Sequence, residues 1–265
     1  MNNGKHWSRP LSLIAILFLF MSCSQFNSKR SSSEYLELAT LWVQNSAEYR
    51  ALCYQAYNTA TERLRSLKTG RSSKPLAIVL DLDETVIDNS PYQAMMVLTD
   101  DAYSSKTWDE WIALKRAAAV PGAKAFLTEA NSKGFEIFFV SNRMVRHLDA
   151  TYQNLIELGL PVKKSNLFLR THSMGKDSRR AHILQNYDVV LYLGDVMTDF
   201  SDDFEDKSTN ERHILTDALS REFGKKYIVF PNPMYGEWER ALYGHDLEMS
   251  AEEKSRRRKR ALYRY

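Results

Sequence analysis

Cysteine is nearly absent from this 265-residue chain, which carries only Cys23 and Cys53. A disulfide framework is therefore excluded as the source of stability, even in an oxidising compartment. Long hydrophobic runs are missing too. The longest, Leu11 to Met21, covers eleven positions and is interrupted by Ser12, well short of the roughly 20 residues a membrane span needs. Nor does one sign of charge dominate: 36 Lys and Arg against 33 Asp and Glu leave +3. No strong field follows, and no specific nucleic-acid partner is expected. No internal repeat is visible. What is present is 44% hydrophobic and 12% aromatic residues, enough to fill a sizeable core.

The first residues behave differently from the rest. Lys5 and Arg9 precede the apolar run, and Ser22-Cys23 follows it, the pattern of a secretion signal over residues 1–22. Phe20-Met21-Ser22-Cys23 resembles the lipobox of bacterial lipoproteins, which implies lipidation at Cys23; ordinary signal cleavage is the alternative. Ser24 in place of Asp points, by the lipoprotein sorting pattern, to an outer membrane of a two-membrane cell. Residues 23–34 read as a tether. Removal of residues 1–22 takes Lys5 and Arg9 with it and lowers the charge from +3 to +1. Cys53, among apolar residues at helical spacing, is expected in the core.

Beyond the tether, a single domain is expected over residues 35–265. Apolar residues at three- and four-residue spacings from Tyr35 to Leu67 predict one or two amphipathic helices within residues 35–70, closed by Gly70 to Pro75. Short apolar runs at Leu76 to Leu80, Phe135 to Val140, Leu167 to Leu169, Val189 to Leu193 and Tyr227 to Phe230 predict strands. Between most of them lie helical patterns: residues 122–133, 144–158 and 179–186. This alternation predicts an α/β fold: a Rossmann-like parallel sheet with helices on both faces and an N-terminal helical segment. Residues 88–120 break the rhythm and form a small cap insertion after the first core strand. Its Tyr92, Tyr103, Trp108 and Trp111 suit a lid, although Trp108 and Trp111, three apart, equally suit a helix face packed on the body. The tail from Lys254 to Arg264 holds seven cationic residues. It reads as a solvated terminal helix, with contact to anionic lipid or nucleic acid as the functional alternative.

Chemistry-bearing residues gather where the predicted strands end. The first strand runs into Asp81-Leu82-Asp83-Glu84-Thr85, the second into Ser141-Asn142-Arg143. Lys176 opens a helix after the third, where its ammonium and the free backbone N–H groups could face an anion. The fourth runs into Gly194-Asp195 and on to Asp199. In an open parallel sheet this edge is where ligands bind. Each piece has a structural reading, for Asp-x-Asp-x-Thr arises by chance in about one chain in thirty of this length. Together, acid, hydroxyl, lysine and acid on successive strands imply a shared site. Asp81, Asp83, Asp195 and Asp199 cannot all stay ionised without a cation, and an all-oxygen donor set favours magnesium. Serine, amide, lysine and Mg²⁺ around one point would neutralise phosphoryl oxygens, leaving Asp81 to attack in line and Asp83 to protonate the leaving oxygen.

The four segments resemble those of the haloacid dehalogenase superfamily. Ile78 to Val86, with Asp88-Asn89-Ser90-Pro91-Tyr92, resembles its class C acid phosphatases, secreted or lipid-anchored bacterial enzymes also described as 5′-nucleotidases. Trp42 to Leu52 and Pro231 to Glu239 look like that family's N-terminal helix and C-terminal segment. The resemblance implies that Asp81 is phosphorylated and that Asp83 is the acid/base, with its backbone oxygen on one Mg²⁺. Asp195 would be the second side-chain ligand, with Asp199 completing the set through water. It further implies that Ser141, Asn142 and Lys176 bind phosphate, with Arg143 adjacent to substrate, and that Tyr103 and Tyr235 sandwich a nucleobase. Val196 and Met197 depart from the family's usual Asn/Thr-Leu at this place, where a hydrogen bond near the metal would be lost. The implied function is hydrolysis of small phosphomonoesters, including nucleoside 5′-monophosphates, at the cell envelope. A ligand-binding lipoprotein without turnover and a phosphotransferase on the same fold remain open, as does homo-oligomerisation.

Overall fold

In chain order the computed structural model contains α1 (Glu37–Asn45), α2 (Ala47–Ser66), β1 (Leu76–Leu80), β2 (Ile87–Asp88), α3 (Ser90–Thr99), α4 (Ser105–Leu114), β3 (Ala118–Ala119) and α5 (Ala123–Ser132). There follow β4 (Glu136–Met144), α6 (Leu148–Glu157), β5 (Leu167–Arg170), α7 (Asp177–Asn186), β6 (Asp188–Gly194), α8 (Thr209–Ala218), β7 (Tyr227–Val229), α9 (Glu237–Leu242) and α10 (Ala251–Ala261). Met1 and residues 33–67, 73–172 and 175–265 are described. The proposed signal, Cys23, most of the tether and part of the 68–75 turn lie outside the described residues. Among the described residues no helix is long and apolar enough to cross a membrane.

Five strands form one parallel sheet in the order β5-β4-β1-β6-β7. Strand alternation builds a core on each face. Ile78, Leu80, Ile137, Phe139, Leu191 and Leu193 point to one side, where Cys53, Phe126, Leu127 and Leu155 of α2, α5 and α6 cover them. Ala77, Val79, Phe138, Val140 and Tyr192 point to the other, against Ile183 of α7 and Phe200. Helices on both faces are thus a consequence of strands apolar on both sides. Between Ala77 and Ile78 the register against β6 jumps from Val189 to Leu191. The extra residue, Val190, bulges onto the same face as Leu191, a local kink of the usual one-residue kind. β1 lies at the centre, and its C-terminal end opens between β4 and β6, where the strand order reverses.

Two boundaries differ from expectation. β4 continues through Ser141, Asn142 and Arg143 to Met144, because pairing with β5 resumes at Met144 and Arg170 after a shift at Ser141. Those three residues therefore sit on a strand rather than in the turn after it, and the following helix begins only at Leu148. The insertion after β1 is closed at its base by the antiparallel β2 and β3. Its Trp108 and Trp111 pack with Leu36, Tyr92 and Met96. The cationic tail folds as α10, N-capped by Ser250, whose hydroxyl accepts from the Glu253 N–H. Arg258 is not a solvated residue: its guanidinium lies 3.7 Å over the Tyr35 ring and donates to the Tyr243 hydroxyl at 2.6 Å. The two ends of the described unit are thereby joined.

Candidate active site

The loop after β1 is tight. The N–H groups of Val86 and Ile87 both donate to the Leu82 carbonyl, and the Glu84 N–H to Ile87 O. Glu84 adopts a left-handed conformation with φ of 59°, a cost of order 1–3 kcal/mol for a side chain of this size. The neighbours hold it there. Its buried carboxylate accepts from the Asn89 backbone at 2.8 Å and side chain at 3.3 Å, and the Tyr57 hydroxyl of α2 donates to Thr85 O at 2.7 Å. This turn sets Asp81 and Asp83 in different surroundings.

Asp81 is buried beside Lys176, whose Nζ is 2.5 Å from Asp81 and 2.6 Å from Asp199. Lys176 is itself buried. Burial drives its pKa down, but the carboxylates of Asp199 and Asp81 outweigh this and raise it, so it stays charged. Asp195 completes the group: one ligand oxygen from each of Asp81, Asp195 and Asp199 lies within 4.8 Å of the others. Thr85 Oγ1 and Asn232 Nδ2 donate to its two oxygens at 3.2 and 2.8 Å. Asp199 Oδ2 accepts from the Val196 N–H at 3.1 Å, so this backbone bond survives whichever side chain stands at 196.

One lysine cannot neutralise three carboxylates. Burial, with Asp199 and Asp83 opposing the help from Lys176, pushes Asp81 up to about 7. Burial, together with Asp199 and Asp81, raises Asp195 well above the ordinary carboxylate range. The donor set is all oxygen and short of positive charge, the chemistry of a hard divalent cation site. The Asp cluster could hold such a metal.

Asp83 faces another way. Its Oδ1 accepts from Asn89 Nδ2 at 2.8 Å and from Arg143 Nε at 2.9 Å. Arg143, expected beside substrate, lines the cavity over the acids while its largely buried guanidinium forks onto Asp83, Asn89 and Thr151. Ser141 is wholly buried; its hydroxyl is 3.4 Å from Asp83 Oδ2. Asn142 reaches the cavity while its Oδ1 accepts from Arg179 at 2.7 Å. The expectation that free helix N–H groups face an anion is corrected. The backbone N–H groups of Lys176 and Asp177 both donate to Asp202, each at 2.9 Å, so the start of α7 is already capped.

A cavity of about 440 Å³ opens over these groups, lined by Asp81, Asp83, Asn142, Lys176, Asp195 and Asp199 at one end. Tyr103, Trp108 and Tyr235 line its walls. Tyr103 is largely exposed, whereas Tyr92 is buried with its hydroxyl 2.9 Å from Thr107 Oγ1. Sequence reasoning did not single out Asn89, Thr85 or Asn232 as partners of the acids, nor Asp202 as the cap of α7. Asn89 and Asn232 carried a signal, for both stand inside motifs, Asp88-Asn89 and Pro231-Asn232-Pro233, that were otherwise read as wholes.

Paired aspartates after a central parallel strand, with a buried lysine and further aspartates on neighbouring strand ends, define a phosphotransfer-type site of the haloacid dehalogenase class. Over residues 22–238 the chain matches the family described as HAD superfamily, subfamily IIIB (acid phosphatase), and it belongs to that family. The class C acid phosphatase of Bacillus anthracis is similar in structure, with 42% identity and a TM-score of 0.85 over 89% of this chain and 99% of that one. The same enzyme with tungstate bound gives 41% identity and a TM-score of 0.84, over 88% and 98%. Acid phosphatase 1 of Solanum lycopersicum is 24% identical over 66% of this chain and 64% of its own. The stem 31 kDa glycoprotein of Glycine max is 26% identical over 59% and 58%. The chain thus spans 64% and 58% of the length of these two plant relatives.

Proposed function

We propose that this protein is a Mg²⁺-dependent acid phosphatase that hydrolyses small phosphomonoesters, nucleoside 5′-monophosphates among them, through an aspartyl-phosphate. The observation that carries the reading is the buried Lys176 bridging Asp81 and Asp199 beside Asp195. A lone cation among three acids makes a nucleophile and a metal site at once. The carboxylates of Asp81, Asp195 and Asp199 and the backbone oxygen of Asp83 would hold one Mg²⁺. When bound, that ion would supply the charge that keeps Asp81 ionised below neutrality and screens the phosphoryl oxygens. Without it, an acid held up at about 7 is largely protonated at mildly acidic pH.

Lys176 Nζ, Asn142 Nδ2 and the Ser141 hydroxyl, whose hydrogen is free to turn, are the groups proposed to receive the phosphoryl oxygens. An Asp81 oxygen attacks phosphorus in line as the bond to the leaving oxygen breaks. Asp83 gives that oxygen its proton and, now ionised, takes one from the water that hydrolyses the aspartyl-phosphate. Tyr103 and Tyr235 are the proposed walls for the base of a nucleotide, and Arg143, at the edge of the same cavity, pairs with Asp83. Binding of tungstate, a tetrahedral oxyanion like phosphate, to the 41% identical relative supports an oxyanion pocket here. We further propose attachment to the envelope through a lipid on Cys23, an outer-membrane location being favoured by Ser24.

The test uses the chain without residues 1–22. It should release phosphate from a nucleoside 5′-monophosphate at mildly acidic pH, stop with EDTA and recover with Mg²⁺. Full activity in Asp81→Asn would overturn the aspartyl-phosphate route, and tight binding without release would favour a carrier. Release that falls when alcohol acceptors are added, with new phosphate esters formed, would identify a phosphotransferase. Palmitate labelling in a lipoprotein-processing host, lost in Cys23→Ser, tests the anchor.

A further inference from the structure

Asn89 is fully buried and uses every hydrogen-bonding site of its side chain. Both Nδ2 hydrogens go to acids, Asp83 Oδ1 at 2.8 Å and Glu84 Oε2 at 3.3 Å. Both Oδ1 lone pairs are filled by donors, Trp111 Nε1 at 2.8 Å and an Arg143 nitrogen at 3.2 Å. A flipped amide would set oxygen against two carboxylates and nitrogen against two donors, so one orientation is fixed. Trp111 belongs to α4 of the cap insertion; Arg143 belongs to β4 and also anchors on Thr151 Oγ1 at 3.2 Å. The amide therefore ties cap, sheet and the Asp83 carboxyl together. Asp83 Oδ1 accepts from two close donors, Asn89 and Arg143 Nε at 2.9 Å, and the Arg143 Nη2 charge lies 2.8 Å from it. Oδ2 has only longer contacts, 3.2 Å to Arg143 Nε and 3.4 Å to Ser141 Oγ. Oδ2 is thus the less engaged oxygen, the one with room for a contact to substrate.

We propose that Asn89, Trp111 and Arg143 are positioning residues that aim Asp83 Oδ2 at the leaving-group oxygen, so that the cap holds the proton donor in place. This rests on Asp83 being the donor proposed above. Trp108, one turn before Trp111 on α4, lines the cavity, so one helix carries both a substrate wall and the brace. The chemistry predicts a selective defect. A poor leaving group such as an alkoxide needs its proton as the P–O bond breaks, whereas p-nitrophenolate leaves without one. In Trp111→Phe, which removes the indole donor and keeps a ring, kcat/KM for an alkyl phosphate, which reports the steps up to expulsion of the leaving oxygen, should fall at least tenfold. The kcat/KM for p-nitrophenyl phosphate should stay within twofold, while kcat, which includes the water step that Asp83 also serves, should fall for both esters. Thr151→Val, which keeps the shape and removes the anchor of Arg143, should give the same split and serves if Trp111→Phe fails to fold. An equal loss of kcat/KM on both esters, or no loss on either, overturns the proposal. Asp83→Asn is run alongside, because absence of the split there sinks the proton-donor reading itself and not merely the brace.

Discussion

Lys176 and Gly194 show how much of the site turns on single residues. Lys176 is a buried ammonium between two carboxylates, and its removal leaves acids that share no cation. Losing one partner of a buried ion group costs about 3–5 kcal/mol. Lys176→Met should therefore lower the urea unfolding free energy of the metal-free protein by about that much at pH 7. At pH 5 the loss should be smaller, since Asp81 can then take a proton, and Mg²⁺ should restore part of it. Equal losses at both pH values would show that charge is not the cause. Gly194 is required for space. A Cβ there would overlap the Asp199 carboxylate and its Cβ. Gly194→Ala should displace Asp199, weaken Mg²⁺ binding by tenfold or more in calorimetric titration, and destabilise by about 1–3 kcal/mol.

At the scale of elements, α7 is held to the site by a residue far along the chain. Asp202 caps its first two N–H groups and pairs with Arg180, which also salt-bridges Asp177 and donates to the carbonyls of Thr198 and Asp199. Losing an N-cap costs about 0.5–2 kcal/mol, and unsatisfied buried donors add to it. Asp202→Ala is thus expected to lower the free energy of unfolding by about 2–3 kcal/mol in urea titrations. The KM for a phosphate ester should rise as well, because Lys176 is the N-cap residue of the same helix. A changed stability with an unchanged KM would separate the cap from the site. The elements themselves were largely legible in sequence, all five core strands and the cap included, because apolar runs on both faces and 3.6-residue periodicity are local signals. The cap of α7 was not, since Lys176 and Asp202 are 26 residues apart and nothing local joins them.

For the whole molecule, the clustered acids link stability to pH and to metal. Asp81 and Glu84 are both raised by burial and by neighbouring acids, Asp81 to about 7. A carboxyl raised above its unfolded value near 4 binds more protons when folded, so the stability it permits is present at low pH and lost as pH rises. The metal-free protein should therefore melt at progressively lower temperature from about pH 4 to pH 7. Added Mg²⁺ competes with those protons, so its stabilisation should grow over the same window. A melting temperature that rises with pH in EDTA would contradict the assigned shifts.

The sequence by itself determined the architecture, the family and the company of Asp81, Asp83, Lys176, Asp195 and Asp199, because strand ends in a parallel sheet meet at one edge whatever the side-chain details. Only the tertiary structure decided what each charged group faces. Arg143 pairs with Asp83, Lys176 bridges two carboxylates, and Arg258 turned from solvent to Tyr35. A guanidinium or ammonium carries no local sign of its partner. Which acid it neutralises depends on residues brought within a few ångströms by folding, and burial then makes that choice strong.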